Sequence, residues 1–244
     1  MLPVTQMANT THAADPSSFS PRRFFKGSNT NTQTETGLAL PSTKGSQACI
    51  QTASELAQHG HRKEAIALYE RARQLDPKQK QVARFLAVLY AREGESTAAL
   101  REFQKAVELT PHDADLLNDF GYYYFHEGDM VNAEKYLRQA LQKSPDHAQV
   151  LTNLGMALAE QGKYEESFKI FSKAVGPACA YSNLGMYLAQ HGKQAEAEQA
   201  FRQSLALDPN LKQARSGLGY LEKTRNTMIS QKKDAAKPLQ RAGN

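Results

Sequence analysis

Along the middle of this chain, apolar residues return with helical spacing in pairs of short stretches, each pair separated by a polar turn. Leu117, Phe120, Gly121 and Tyr124 share one face of a first stretch, and Ala133, Leu137, Ala140 and Leu141 share one face of a second. Glu127-Gly128-Asp129 lies between them. Recurrence at i, i+3, i+4 and i+7 predicts an amphipathic helix in each stretch. The pair returns as Leu151, Leu154, Gly155 and Leu158 followed by Phe168, Phe171 and Ala174. It returns again as Tyr181, Leu184, Gly185 and Leu188 followed by Ala197, Phe201 and Ser204.

The pattern has a fixed period. Gly60, Gly94, Gly128 and Gly162 are spaced by 34 residues, and Gly192 follows after 30. Pro77, Pro111 and Pro145 repeat the 34-residue step, and Pro209 closes a last Leu-Asp-Pro run. Proline cannot continue a helix and turns its predecessor away from one, so each marks a handover between hairpins. Small residues recur in register: Ala53, Ala87, Gly121, Gly155, Gly185 and Gly219 on first helices, and Ala65, Ala99, Ala133, Ser167 and Ala197 on second helices. They predict close approach within each hairpin, with Tyr69, Phe103, Leu137, Phe171 and Phe201 filling the gap to the next.

A 34-residue helical period with these small and large positions resembles the tetratricopeptide repeat over residues 46–225. The resemblance implies an all-α fold, a right-handed superhelical solenoid of antiparallel helix hairpins. Five hairpins are expected at 46–79, 80–113, 114–147, 148–177 and 178–211, with a capping helix at 212–225 that turns Arg215 and Glu222 outward. Cys49 and Thr52 stand where large apolar residues are usual, which predicts a frayed first helix. Between Gly162 and Gly192, Lys173-Ala174-Val175-Gly176-Pro177 predicts a shortened joint, with Gly176 as a left-handed cap and Pro177 as a stop. Such a joint is expected to change the superhelical pitch between repeats four and five.

Composition alters the picture at the ends. Residues 1–45 are rich in Ser, Thr and Asn, with Pro3, Pro16, Pro21 and Pro41, and read as a disordered tail. Residues 226–244, with Lys232, Lys233, Lys237 and Arg241 against Asp234, read as a basic disordered tail. The net charge of +5 belongs to these ends, because the middle carries 22 basic and 22 acidic residues. A nucleic-acid partner is therefore not expected of the repeats. No run of about 18 apolar residues exists, so no membrane span is predicted. The first residues lack a secretion signal, Ser20-Pro21-Arg22-Arg23-Phe24-Phe25-Lys26 lacks the apolar core that must follow a twin-arginine motif, and a cytoplasmic protein is expected. An upstream start codon adding a lipobox would instead place it at the envelope. Cys49 and Cys179 fall four hairpins apart and are expected as free thiols.

The resemblance further implies that first helices line a concave groove that holds peptides. By register the groove includes Arg84, Val88, Asn118, Asp119, Tyr122, Phe125, Asn153, Met156, Asn183 and Met186. Asn153 and Asn183 occupy one register, and a carboxamide offers a peptide backbone both a donor and an acceptor. This resembles the asparagine ladder of some tetratricopeptide proteins, although Asn-Leu-Gly also recurs in the repeat without a ligand, and Phe85 and Asp119 interrupt the series. Tyr122, Phe125, Met156 and Met186 suit an adaptable apolar floor and suit packing between repeats equally. A clamp for a terminal carboxylate is not expected, since Arg84 is followed by Val88 and the next repeat has Asp115 and Asp119. His59 and His61 are too few ligands for a metal, and Pro111-His112-Asp113-Ala114-Asp115 reads as a loop and an acidic helix start. No cofactor is expected.

Together these readings predict a non-catalytic scaffold with a protein or peptide ligand, since residues 226–244 leave no space for the separate catalytic domain that enzymes with such repeats carry. The alternative, from the shortened joint, is an assembly component of a bacterial pilus or secretion system, similar to proteins of the TadD type. Oligomeric state is not specified by these residues.

Overall fold

Glycine sets the hairpin turns. Gly60, Gly94, Gly128, Gly162 and Gly192 all have φ between +74° and +86°, a region a Cβ disfavours. In each case the residue after the glycine donates its N–H five residues back at 2.9 Å, as His61 does to Leu56 and Lys193 does to Leu188. This is the Schellman closure, which satisfies a carbonyl that the helix end would leave orphaned.

The computed structural model describes residues 42–235, with side chains from 43 to 231, and all regular structure among them is α-helical. Of the expected tails at 1–45 and 226–244, residues 1–41 and 236–244 lie outside the described residues, while residues 42–45 form the start of a helix. Two compact units divide the chain at Pro145 and Asp146.

The first unit holds three hairpins: α1 (Ser42–Gln58) with α2 (Arg62–Leu75), α3 (Gln81–Arg92) with α4 (Ser96–Leu109), and α5 (Ala114–His126) with α6 (Met130–Lys143). Its core runs through Ala53, Ala65, Tyr69, Leu86, Ala99, Phe103, Leu116, Phe120, Ala133 and Leu137, all fully buried. Phe103 of α4 stacks on Phe120 of α5 at 4.9 Å, so this large residue does reach the next hairpin. Leu137 instead covers Gly121 of its own hairpin, where a Cβ would lie 2.6 Å from Leu137 Cγ. α1 is a continuous helix of 17 residues, not the frayed one expected. Ser46 Oγ donates to the Ala72 carbonyl at 3.0 Å, and Cys49 and Ile50 pack on the core, compensating for the missing bulk.

The second unit holds α7 (Ala148–Glu160) with α8 (Tyr164–Val175), α9 (Pro177–Gln190) with α10 (Gln194–Leu207), and α11 (Lys212–Ala235). Here the small residues on first helices are glycines facing rings. A Cβ on Gly155 would lie 2.6 Å from the Phe171 ring, and one on Gly185 would lie 2.9 Å from Phe201. Ser167 adds a buried hydrogen bond across the first of these hairpins, Oγ to the Gly155 carbonyl at 2.7 Å.

Four sequence expectations change in this unit. Pro177 does not stop a helix but starts α9, where its missing N–H costs nothing and its fixed φ suits the first turn. A single residue, Gly176, therefore joins α8 to α9, with φ +80° and ψ 162°, a conformation outside the left-handed helical region and essentially restricted to glycine. The final helix passes Arg225 and continues to Ala235, so the first part of the expected basic tail is helical. In that helix Gly217, rather than Gly219, is the close-approach residue. A Cβ on Gly217 would overlap the Phe201 ring, while nothing lies within 4 Å of Gly219. α11 takes its register from that ring, burying Ala214, Gly217 and Leu221 and leaving Arg215 and Glu222 exposed.

No described helix is long and apolar enough to cross a membrane. Cys49 and Cys179 are free thiols.

Candidate functional site

Arg84 and Val88 lie on α3, and Asn118, Asp119, Tyr122 and Phe125 lie on α5. A side-chain cap fixes the start of α5: Asp113 accepts from the backbone N–H groups of Asp115 at 3.0 Å and Leu116 at 3.1 Å. That start brings α5 carboxylates to α3. Arg84 Nε donates to Asp119 Oδ2 at 2.8 Å, and Arg84 Nη1 lies 3.7 Å from Asp113 and 4.0 Å from Asp115.

Asp119 is 3% exposed. Its burial pushes the carboxyl from an ordinary 3.8 up to about 6, against the pull of Arg84, and the neighbouring Asp115 and Asp113 charges add to the rise. Asn118 and Tyr122 are buried as well, at 4% and 7% exposure, and Val88 and Phe125 are half-buried. Tyr122 meets His126 edge to face at 4.4 Å and lies 6.4 Å from Phe125. Val88 packs on the core around Phe103. Of the six candidates in this unit, the two ionic ones answer each other.

In the second unit Asn153 and Met156 lie on α7, and Asn183 and Met186 on α9. Asn153 is 3% exposed, whereas Asn183, Met156 and Met186 are half-buried. Asn183 and Met186 are brought together by a residue that register alone did not single out. Gln213 of α11 donates Nε2 to Asn183 Oδ1 at 3.2 Å and to Met186 Sδ at 2.9 Å. Register gave no signal for it, since Gln213 follows Asn183 by 30 residues, four short of the repeat's 34-residue step.

Sequence reasoning missed two further polar clusters. Arg73 of α2 grips the buried Glu102 of α4 through both carboxylate oxygens at 2.9 Å and also pairs with Glu70, which accepts from Tyr90 at 3.3 Å. Partners 29 residues apart sit beyond the range of helical spacing. At the turn end of α9, Glu160 accepts from the Tyr187 hydroxyl at 2.5 Å and lies 3.2 Å from His191. No group of His, Cys, Asp and Glu among the described residues could hold a metal ion.

Sequence models described as tetratricopeptide repeat match residues 50–114, 112–176 and 178–211. This chain is a member of the tetratricopeptide repeat family. The matches cover every hairpin, and the fold is one typical of protein interaction scaffolds. Among solved structures, this tetratricopeptide protein is similar to YrrB, described as a TPR protein with an unusual peptide-binding site, at 20% identity and TM-score 0.54, over 70% of this chain and 90% of that one. It is similar to pilF of Pseudomonas aeruginosa at 20% identity and TM-score 0.58, over 80% of this chain and 99% of that one. It is similar to MamA at 19% identity and TM-score 0.55, over 67% and 91%. At these identities the likeness is one of fold. No curated protein matches the chain in sequence.

Proposed function

We propose that this tetratricopeptide protein is a non-catalytic scaffold that holds a peptide segment of another protein against its first helices. The carrying observation is the half-buried set on α9, where the Asn183 carboxamide lies beside the Met186 thioether. A carboxamide reads a peptide backbone whatever its sequence, and a thioether accommodates varied side chains. The fold shared with YrrB, whose structure carries a peptide-binding site, supports the reading. Within it, Asn153 and Asn183 contact the backbone, and Met156 and Met186 contact side chains. In the first unit Phe125 and Val88 are the half-buried apolar contributors, beside Tyr122.

The test uses twelve-residue peptides displayed on phage and selected on the full chain. A synthetic copy of a selected peptide should bind the variant carrying both Asn153→Ala and Asn183→Ala about tenfold or more weakly. Undiminished affinity removes these residues from the function.

A second reading, an assembly component of a pilus or secretion system, draws support from the fold match that spans 99% of pilF. Gene deletion that leaves surface pili and secreted protein at wild-type levels removes it.

A further inference from the structure

Gln213 sits in the first turn of α11, outside the five hairpins, yet its amide group reaches α9. Its Nε2 contacts two acceptors, Asn183 Oδ1 at 3.2 Å and Met186 Sδ at 2.9 Å. A thioether sulfur accepts and cannot donate, so Met186 fixes which end of the Gln213 amide faces α9. That choice fixes Asn183 in turn. With its oxygen held by Gln213, Asn183 presents Nδ2 on its other side. Neither the Nδ2 hydrogens of Asn183 nor Oε1 of Gln213 takes part in this contact. Two adjacent carboxamides are thus set with one spare donor and one spare acceptor. A single peptide group carries the matching acceptor and donor.

We infer that Gln213 is a positioning residue that makes the cap helix part of the peptide-binding surface. It orients Asn183 to donate to a backbone carbonyl of the ligand, and its own Oε1 accepts a backbone N–H. The ligand class is an extended peptide whose backbone crosses from α9 to α11, with one apolar side chain over Met186. This inference rests on the peptide-binding reading proposed above. It goes beyond a ladder built from the matched repeats, because this rung comes from α11, which follows the five hairpins.

The experiment takes a phage-selected twelve-residue peptide whose affinity for the full chain falls with Asn183→Ala, and measures that peptide on Gln213→Ala, Gln213→Glu and the Asn183→Ala, Gln213→Ala double variant. Gln213→Ala should weaken binding about five- to tenfold with an unchanged thermal midpoint. In the double variant the loss should be smaller than the product of the two single losses, since both remove one coupled arrangement. Gln213→Glu should weaken binding at least as much as Gln213→Ala, although it keeps an acceptor oxygen. Its carboxylate cannot donate to Met186 or to Asn183 Oδ1, and it draws the Asn183 N–H group away from the ligand. A residue that merely supported α11 would lower the melting point and leave the glutamate and alanine variants alike. Unchanged affinity in Gln213→Ala overturns the inference and leaves the peptide-binding reading standing. Tighter binding also overturns it, by making Gln213 a competitor for Asn183. If no selected peptide responds to Asn183→Ala, the inference falls together with the role given to Asn183.

Discussion

The two units put different chemistry at equivalent places on their first helices, and the difference separates what holds the fold from what is available to a ligand. In the first unit, the position that carries Asn153 and Asn183 later in the chain carries Asp119, buried and answered by Arg84 at 2.8 Å. In the second, Asn183 is half-buried and answered by Gln213 through a neutral amide at 3.2 Å. A buried charge requires its partner, whereas a carboxamide with one partner keeps hydrogen-bonding capacity for another. The first arrangement is structural, and the second leaves a surface.

The contrast breaks most visibly at Arg84. Arg84→Ala leaves Asp119 without its closest cation, and unfolding in urea should show a loss of about 3–5 kcal/mol. A loss under about 1 kcal/mol would place the pair among weak surface bridges and erase the distinction drawn between the units.

The pH response sharpens the same point. The Asp119 carboxyl rises to about 6 in the folded chain from 3.8, so between these values the folded state holds a proton that the unfolded state has released. Its contribution is fully favourable below the lower value and declines as pH rises through the window, by roughly 2–3 kcal/mol. Asp119→Asn should flatten that decline when stability is measured from pH 4 to 7. Asp129 works in the opposite sense: hydrogen bonds from Asn132 hold its carboxyl low, so its contribution is lost on acidification. The difference between wild type and Asp119→Asn isolates the first from the second.

Smaller effects test the end of the second unit. Gly217→Ala forces a methyl into the Phe201 ring and should destabilise by about 1–3 kcal/mol. Gly219→Ala, two residues on and facing open space, should stabilise by about 0.5–1 kcal/mol through helix propensity. Equal effects at the two positions would mean that α11 is not registered on Phe201.

That pair of glycines also marks how far the sequence could be read. The turn glycines, four at a 34-residue step and Gly192 after 30, were legible because each turn demands a left-handed φ, and Pro77, Pro111 and Pro145 because each handover tolerates a proline. Period alone could not place Gly217, because the last helix is aligned by one ring and not by another repeat. Nor could it assign Pro177, which serves equally as the end of one helix and the first residue of the next. The candidate residues were found by register, but register does not report exposure. Asn153 and Asn183 share a position in the pattern, yet one is buried and the other half-buried. Gln213 was hidden because its side chain, not its place in the repeat, carries it to Asn183.

The single-residue joint at Gly176 bears on how such an array can change by recombination. Hairpins joined by identical loops are interchangeable parts: one can be duplicated or deleted at a 34-residue step and its neighbours still meet the same surfaces. The stretch from Gly162 to Gly192 is not such a part. A module copied from elsewhere in the chain arrives four residues too long and without the Gly-Pro pair on which α9 begins. Asn183, Met186 and Gln213 lie on the far side of that joint, so a 34-residue module put in place of the fourth hairpin would remove the Gly-Pro start of the helix that carries Asn183 and Met186.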